Sequence, residues 1–131
     1  MARPDLVGII VGDMAAALHF YRLLGLDIPP EADREEHVEF VTAGGFRLAW
    51  DTAELMAGIH GEQIEPAGIR MVLAFLCDSP AEVDALYARL TTAGYSGFKE
   101  PWDAFWGQRY AIVLDPDGNM IDLFAAQEYI P

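Results

Sequence analysis

An α+β fold built from two tandem βαβββ modules is predicted by three observations on this 131-residue chain. A short apolar run ends at an aspartate and is followed by a helix-spaced stripe at two places. Each stripe stops at a glycine. Each copy then closes with two extended runs joined by a glycine-bearing turn. One domain over residues 1–131 holds both copies, with module one at about 4–50, a linker at about 51–68 and module two at about 69–127.

Taken in order, Leu6–Val11 is an apolar strand that stops at Gly12-Asp13. Asp13 caps a helix whose buried stripe is Met14, Ala17, Leu18, Tyr21 and Leu24, and Gly25 ends it. A short extended piece over Leu26–Ile28 precedes the Pro29-Pro30 breaker and the acids Glu31, Asp33, Glu35 and Glu36. His37–Val41 and Phe46–Trp50 are strands, and Ala43-Gly44-Gly45 makes them a hairpin. The linker carries Gly58, Gly61, Pro66 and Gly68 with little periodicity, and leaves room for a short helix over Thr52–Met56.

The second copy opens with a strand over Ile69–Cys77. Ser79-Pro80-Ala81-Glu82 combines a capping serine, a proline at the first helical position and a capping-box glutamate, and the stripe is Val83, Leu86, Tyr87, Leu90 and Ala93, closed by Gly94. An extended piece over Phe98–Glu100, a strand Arg109–Leu114, a turn Asp115–Asn119 and a strand Met120–Ala125 complete it. Setting Asp13 on Asp78 gives a repeat offset of 65, and setting Gly44-Gly45 on Gly118-Asn119 gives 74 for the closing hairpins.

Lys and Arg number 8 against 21 Asp and Glu, so the chain carries a formal charge of −13. That charge repels phosphate backbones and anionic lipid, which argues against nucleic acid and membrane as partners. The acids are spread along the chain and read as a solvated surface; attraction of a cationic ligand is the functional alternative. Leu6–Val11 is far shorter than the ~20 residues of a membrane span, and no basic segment precedes a longer apolar one, so a cytoplasmic location is expected. The lone Cys77 makes neither an internal disulfide nor a zinc motif and reads as a small buried group at a strand end.

The segment DMAAALHFYRLLGL, with Asp13 and Phe20-Tyr21, and the segment WGQRYAIVLDPDGNMIDLF, with Trp106-Gly107-Gln108-Arg109 and Asp115-Pro116-Asp117-Gly118-Asn119, resemble the vicinal-oxygen-chelate superfamily. That superfamily includes glyoxalases, extradiol dioxygenases and bleomycin resistance proteins, and the resemblance is nearest to the last group. It implies that each module's mixed sheet curls into a half-barrel and that two modules face one another around a cup, in many members across a homodimer. It also implies four places for side chains that hold a divalent metal, on the first and last strands of each module. In this chain those places fall at Leu6, Met71, Leu48 and Asp122. Hydrocarbon and thioether side chains do not serve a hard or borderline divalent ion, so neither a metal nor another cofactor is expected. Of the histidines, His19 lies on a helix flank, His60 in the linker, and His37 begins a strand from which it can point into the cup.

Alternation sets Phe46, Leu48 and Trp50 on one face of their strand and Met120, Asp122 and Phe124 on one face of the last. With Leu48 and Asp122 inward, Trp50 and Phe124 turn inward too. The loop over Pro101–Gly107 gathers Trp102, Phe105 and Trp106 beside Asp103. Such a loop is either a packing plug, the role assigned to Phe105, or a binding surface. For Trp106 the resemblance implies one wall of a stacking slot, with the opposite wall near His37. Arg109, next to Tyr110, is open between bonding ligand carbonyls and pairing with Asp103 or Asp115. Residues Asp115–Asn119 are assigned to turn chemistry. No Ser-His-Asp or Cys-His set and no phosphate-loop pattern is present.

The expectation is a homodimeric, metal-independent binding protein that sequesters a planar aromatic natural-product antibiotic, with Asp122 receiving a cationic group where the ligand has one. The alternatives are a metal-dependent lyase, isomerase or dioxygenase on the same scaffold, and a non-catalytic subunit that uses the aromatic loop as a protein contact.

Overall fold

In the computed structural model, which describes residues 1–62, 65–69 and 71–127, the chain divides into two units, Met1–Ala67 and Gly68–Pro131. Gln63 and Ile64 of the expected linker and Arg70 of the expected strand lie outside the described residues.

The first unit runs β1 (Leu6–Val11), α1 (Met14–Leu23), a 3-10 turn (Pro30–Arg34), β2 (His37–Val41), β3 (Arg47–Thr52) and α2 (Ala53–His60). Asp13 caps α1 by accepting the Ala16 N–H at 3.1 Å. The sheet order is β1-β3-β2, with β1 parallel to β3 and β2 antiparallel to it. Leu26–Ile28 does not become a strand, because the Arg22 guanidinium takes the carbonyls of Ile28 and Pro29, and Pro30 then opens the 3-10 turn. Module one therefore has three strands. The short linker helix is longer than expected: Thr52 caps it, Gly61 ends it with φ at 84°, and His60 closes a helix instead of lying in a loop.

The register of this sheet decides what faces what. Val7 pairs with Leu48 and Ile9 with Trp50, and Val38 and Phe40 join them from β2. This face carries the buried Leu48, Trp50 and Val38, with the Trp50 and Tyr21 rings 5.2 Å apart. The expectation that Leu48 and Trp50 line an open face is thus corrected: both are core residues against α1. Leu6, Gly8, Ile10, His37, Glu39, Val41, Arg47, Ala49 and Asp51 occupy the opposite face.

The second unit runs β4 (Val72–Leu76), α3 (Pro80–Thr92), β5 (Gly97–Ala104), β6 (Gln108–Leu114) and β7 (Met120–Ala126). Its sheet order is β4-β7-β6-β5, with β4 parallel to β7 and the other pairs antiparallel. Ser79 is the cap of α3 and accepts the Glu82 N–H at 3.2 Å. Val83, Leu86 and Leu90 are buried, together with Ala111, Val113, Ile121 and Leu123 of the sheet. Tyr87 is only half-buried and Ala93 is exposed, so the α3 stripe is narrower than expected. β4 starts at Val72, leaving Ile69 and Met71 ahead of it.

The expected aromatic loop is mostly strand. β5 continues through Pro101-Trp102-Asp103-Ala104 as an edge strand, and register shifts between Gly97 and Lys99 and between Lys99 and Trp102 accommodate the proline. Only Phe105-Trp106-Gly107 turns, with Gly107 at φ 89°. The later turn is organised by buried Asp115, which accepts N–H groups from Asp117, Asn119 and the Asn119 side chain at 2.8–3.0 Å. Cys77 is buried just past β4, and burial, then Glu82 and Asp78, push its thiol up to about 11. Among the described residues no helix is long and apolar enough to cross a membrane.

Candidate functional site

The antiparallel pairing of β5, β6 and β7 sets Trp102 opposite Tyr110 and Tyr110 opposite Phe124. Three aromatic rings thereby form a row across one face of the sheet, away from the face that Ala111, Val113, Ile121 and Leu123 bury toward α3. Tyr110 and Phe124 are stacked at 6.2 Å with 28° between planes, and Trp102 meets Tyr110 edge to face at 5.4 Å. The turn hangs Trp106 at the end of the row, 5.4 Å from Tyr110 and 6.3 Å from Trp102, both edge to face. The Trp106 indole N–H donates to Gln108 Oε1 at 2.7 Å, which fixes the ring while leaving the residue 49% exposed. Phe105 stands edge to face on Trp106 at 5.1 Å but is 96% exposed, so it does not plug its own sheet.

Asp122 lies in the same face. Ala74 of β4 and Ile112 of β6 are its register partners, and the residue is 7% exposed. Tyr110 donates its hydroxyl to Asp122 Oδ2. Burial, and then this bond to Asp122, push the Tyr110 phenol up to about 12, so the tyrosine stays a donor. The Lys99 ammonium sits 3.9 Å from the centre of the Trp102 ring.

Arg109 does not join this face. It points toward α3, where Asp84 accepts from Nε and Nη2 at 2.9 and 3.1 Å and Asp103 accepts from Nη1 at 3.0 Å. Its pairing is structural, with Asp84 and Asp103 and not with Asp115. In the first unit His37 is bonded at both nitrogens, to Asp51 at 2.5 Å and Glu39 at 2.8 Å, and these bonds, Glu39 first, raise it above its ordinary value of 6.5. Phe46 precedes β3 and is half-exposed, its backbone tied to Thr42. Of the residues singled out from sequence, Trp102, Trp106, Tyr110, Asp122 and Phe124 come together; Trp50 and Leu48 are core, Arg109 faces the helix, and His37 and Phe46 belong to the first unit.

The sequence pattern of the Glyoxalase/Bleomycin resistance protein/Dioxygenase superfamily matches residues 3–123. The chain belongs to this superfamily. Among solved structures it is similar to a glyoxalase/bleomycin resistance protein/dioxygenase from Nocardioides, at 27% identity over 98% of this chain and 87% of that chain with a TM-score of 0.71. It is similar to a family enzyme from Burkholderia phytofirmans PsJN, at 24% identity over 93% and 97% with a TM-score of 0.77. It is also similar to a hypothetical protein from S. aureus, at 19% identity over 96% and 95% with a TM-score of 0.79. The last two likenesses speak to the fold alone. No curated protein sequence matches the chain.

The superfamily's metal places can now be set on the observed register. The two helix caps are Asp13 and Ser79, so the modules repeat at an offset of 66, one more than the corner aspartates suggest. Leu6 then corresponds to Val72 instead of Met71. Gly8 corresponds to Ala74, and because Gly8 pairs with Ala49 and Ala74 with Asp122, the counterpart of Asp122 is Ala49 instead of Leu48. The set becomes Leu6, Val72, Ala49 and Asp122, with one oxygen donor among four. These residues do not fit a divalent ion, and no group of three His, Cys, Asp or Glu among the described residues is arranged to hold one.

Two contributors escaped the sequence reading. In the sequence Gln108 stands out only as part of a motif, although a polar residue two positions after an exposed Trp is a ready acceptor for the indole N–H. Lys99 lies in a strand whose bulges hide the alternation that would have aligned it with Trp102.

Proposed function

We propose that this superfamily member is a metal-independent small-molecule binding protein, closest in role to the bleomycin resistance group, that sequesters a planar aromatic natural-product antibiotic on the second unit's open sheet face. The observation that carries this reading is the row Trp102, Tyr110 and Phe124 with the half-exposed, hydrogen-bond-fixed Trp106 at its end. Pre-fixed rings spend little conformational entropy when a flat ligand arrives, and each base-sized stack is worth ~1–3 kcal/mol. Binding accounts for the site without bond-making: Tyr110 is held protonated, as a donor to Asp122.

The test is a tryptophan-quenching screen of planar aromatic antibiotics, with calorimetry on any hit, on the untagged protein and on Trp106→Ala. A loss of ~1–3 kcal/mol of affinity in the variant is expected. Unchanged affinity in a folded Trp106→Ala would refute the slot. Stoichiometric zinc, iron, manganese, cobalt or nickel in the purified protein would overturn metal independence. A homodimer belongs to this reading, because edge strand β4 leaves Val72 and Leu76 exposed and apolar edges call for cover. Sedimentation as a monomer at micromolar concentration would count against it.

A further inference from the structure

We infer that the site takes its ligand through a protonated nitrogen, with Asp122 Oδ1 as the receptor atom. This rests on the reading of the second unit's aromatic face as the binding site, and it names the ligand class: a flat ring system bearing a protonated amine or amidinium.

Asp122 is more than nine-tenths buried, and its two oxygens are treated differently. Oδ2 accepts the Tyr110 hydroxyl, which holds the carboxylate plane still. Oδ1 is buried and receives no hydrogen bond from any donor among the described residues. The neighbours in register are Ala74 and Ile112, neither of which has a side-chain donor. The two cations nearest in the sheet are engaged elsewhere, Lys99 over the Trp102 ring and Arg109 with Asp84 and Asp103 on the helix side.

A buried carboxylate oxygen without a donor is costly, and the cost is recovered when a charged N–H reaches it. A cation placed there also lies beside Tyr110, whose hydroxyl shares the carboxylate and whose ring stacks on Phe124, on a face rich in aromatic rings. A neutral flat ligand would gain the stacking and leave Oδ1 as it is. The chain's charge of −13 raises the local concentration of cations around the site without choosing between them. Selection is local to Asp122.

The probes are 9-aminoacridine, a cation at neutral pH, and acridine, a neutral ring of the same shape, each titrated by tryptophan quenching and calorimetry. The wild-type protein is expected to prefer the cation by roughly ten- to hundredfold. Asp122→Asn removes that preference while its affinity for acridine stays within about twofold of wild type, which also certifies the fold of the variant. Glu31→Gln, an equal change of net charge on the exposed 3-10 turn of the first unit, keeps the preference. Trp106→Ala weakens both probes together.

If both probes bind equally to wild type, or if Asp122→Asn keeps the preference, the receptor role is overturned and the aromatic slot stands. If neither probe binds wild type, or Trp106→Ala leaves both affinities unchanged, the slot reading itself fails and takes this inference with it.

Discussion

Trp50 is the residue on which the sequence and the structure disagree most about role, and its replacement separates the two. The side chain is fully buried, 5.2 Å from the Tyr21 ring and paired in register with Ile9 and Val38. A buried tryptophan covers up to ~250 Å², which at ~25 cal/mol per Å² corresponds to about 6 kcal/mol; large-to-alanine replacements in cores cost ~3–5 kcal/mol after partial collapse. One term runs the other way. The indole Nε1 is buried without an acceptor among the described residues, and its removal returns roughly 1 kcal/mol. Trp50→Ala should therefore lose about 3 kcal/mol of stability, and Trp50→Phe, which keeps ring volume and deletes the orphan N–H, should lose about 1 kcal/mol or less. Urea unfolding followed by far-ultraviolet circular dichroism reads both. Trp106→Ala, at a half-exposed site, should stay within about 1 kcal/mol of wild type. A Trp50→Ala variant of wild-type stability that has lost ligand binding would refute the assignment and return Trp50 to the binding face.

A Cβ on Gly97 would overlap the Tyr87 hydroxyl, lie 2.7 Å from Cζ and press Thr91 Cγ2 at 3.2 Å, so Gly97→Ala should cost ~1–3 kcal/mol, and Tyr87→Ala in the same chain should recover part of it in a double-mutant cycle. His37 should titrate above 6.5 by NMR, and Glu39→Gln should lower it more than Asp51→Asn does. Because its folded value is raised, the stability it contributes is complete below pH 6.5 and fades as pH climbs through the folded value, and with the side chain 47% exposed the slope is small. Asp115→Ala strips acceptors from three N–H groups at a buried turn and should destabilise by ~2–4 kcal/mol, read as a lower urea midpoint with an unchanged slope.

The repeat, both helices and their glycine stops were legible because each rests on local chemistry: a capping oxygen, a 3.6-residue stripe, a residue that tolerates positive φ. What failed was register. Asp78 and Ser79 are both competent caps, and the sequence does not say which one has the extended backbone; it is Ser79, at φ −154° and ψ 160°. That single residue moved Met71 to Val72 in the alignment of the modules. The β3 error was of the same size, since strand side chains alternate and a slip of one turns Leu48 and Trp50 from an open face into the core. Pro101 disguised β5 as a loop, because a proline within a strand is tolerated only at an edge or a bulge, and edges are set by partners far along the chain. The aromatic row was visible only as a cluster of letters; the cross-strand pairs 102–110 and 110–124 are what make it a surface.

The duplication also explains why one open face is the better candidate for ligand. The two modules share backbone register, with Gly8 and Ala49 standing where Ala74 and Asp122 stand in the second copy. Their chemistry has separated. On the first sheet Asp5, Arg47, Glu39, His37 and Asp51 form a chain in which each charge meets an opposite one or a histidine nitrogen, so a ligand there would have to break pairs before making any. On the second sheet the acid at the equivalent of Ala49 is buried, its Oδ2 held by Tyr110 and its Oδ1 without a donor among the described residues, on the same face as rings that pack on one another. A cation at Oδ1 has no ion pair to displace and meets an acceptor that no described donor uses. Between two faces of common origin, that difference in what must be given up favours the second.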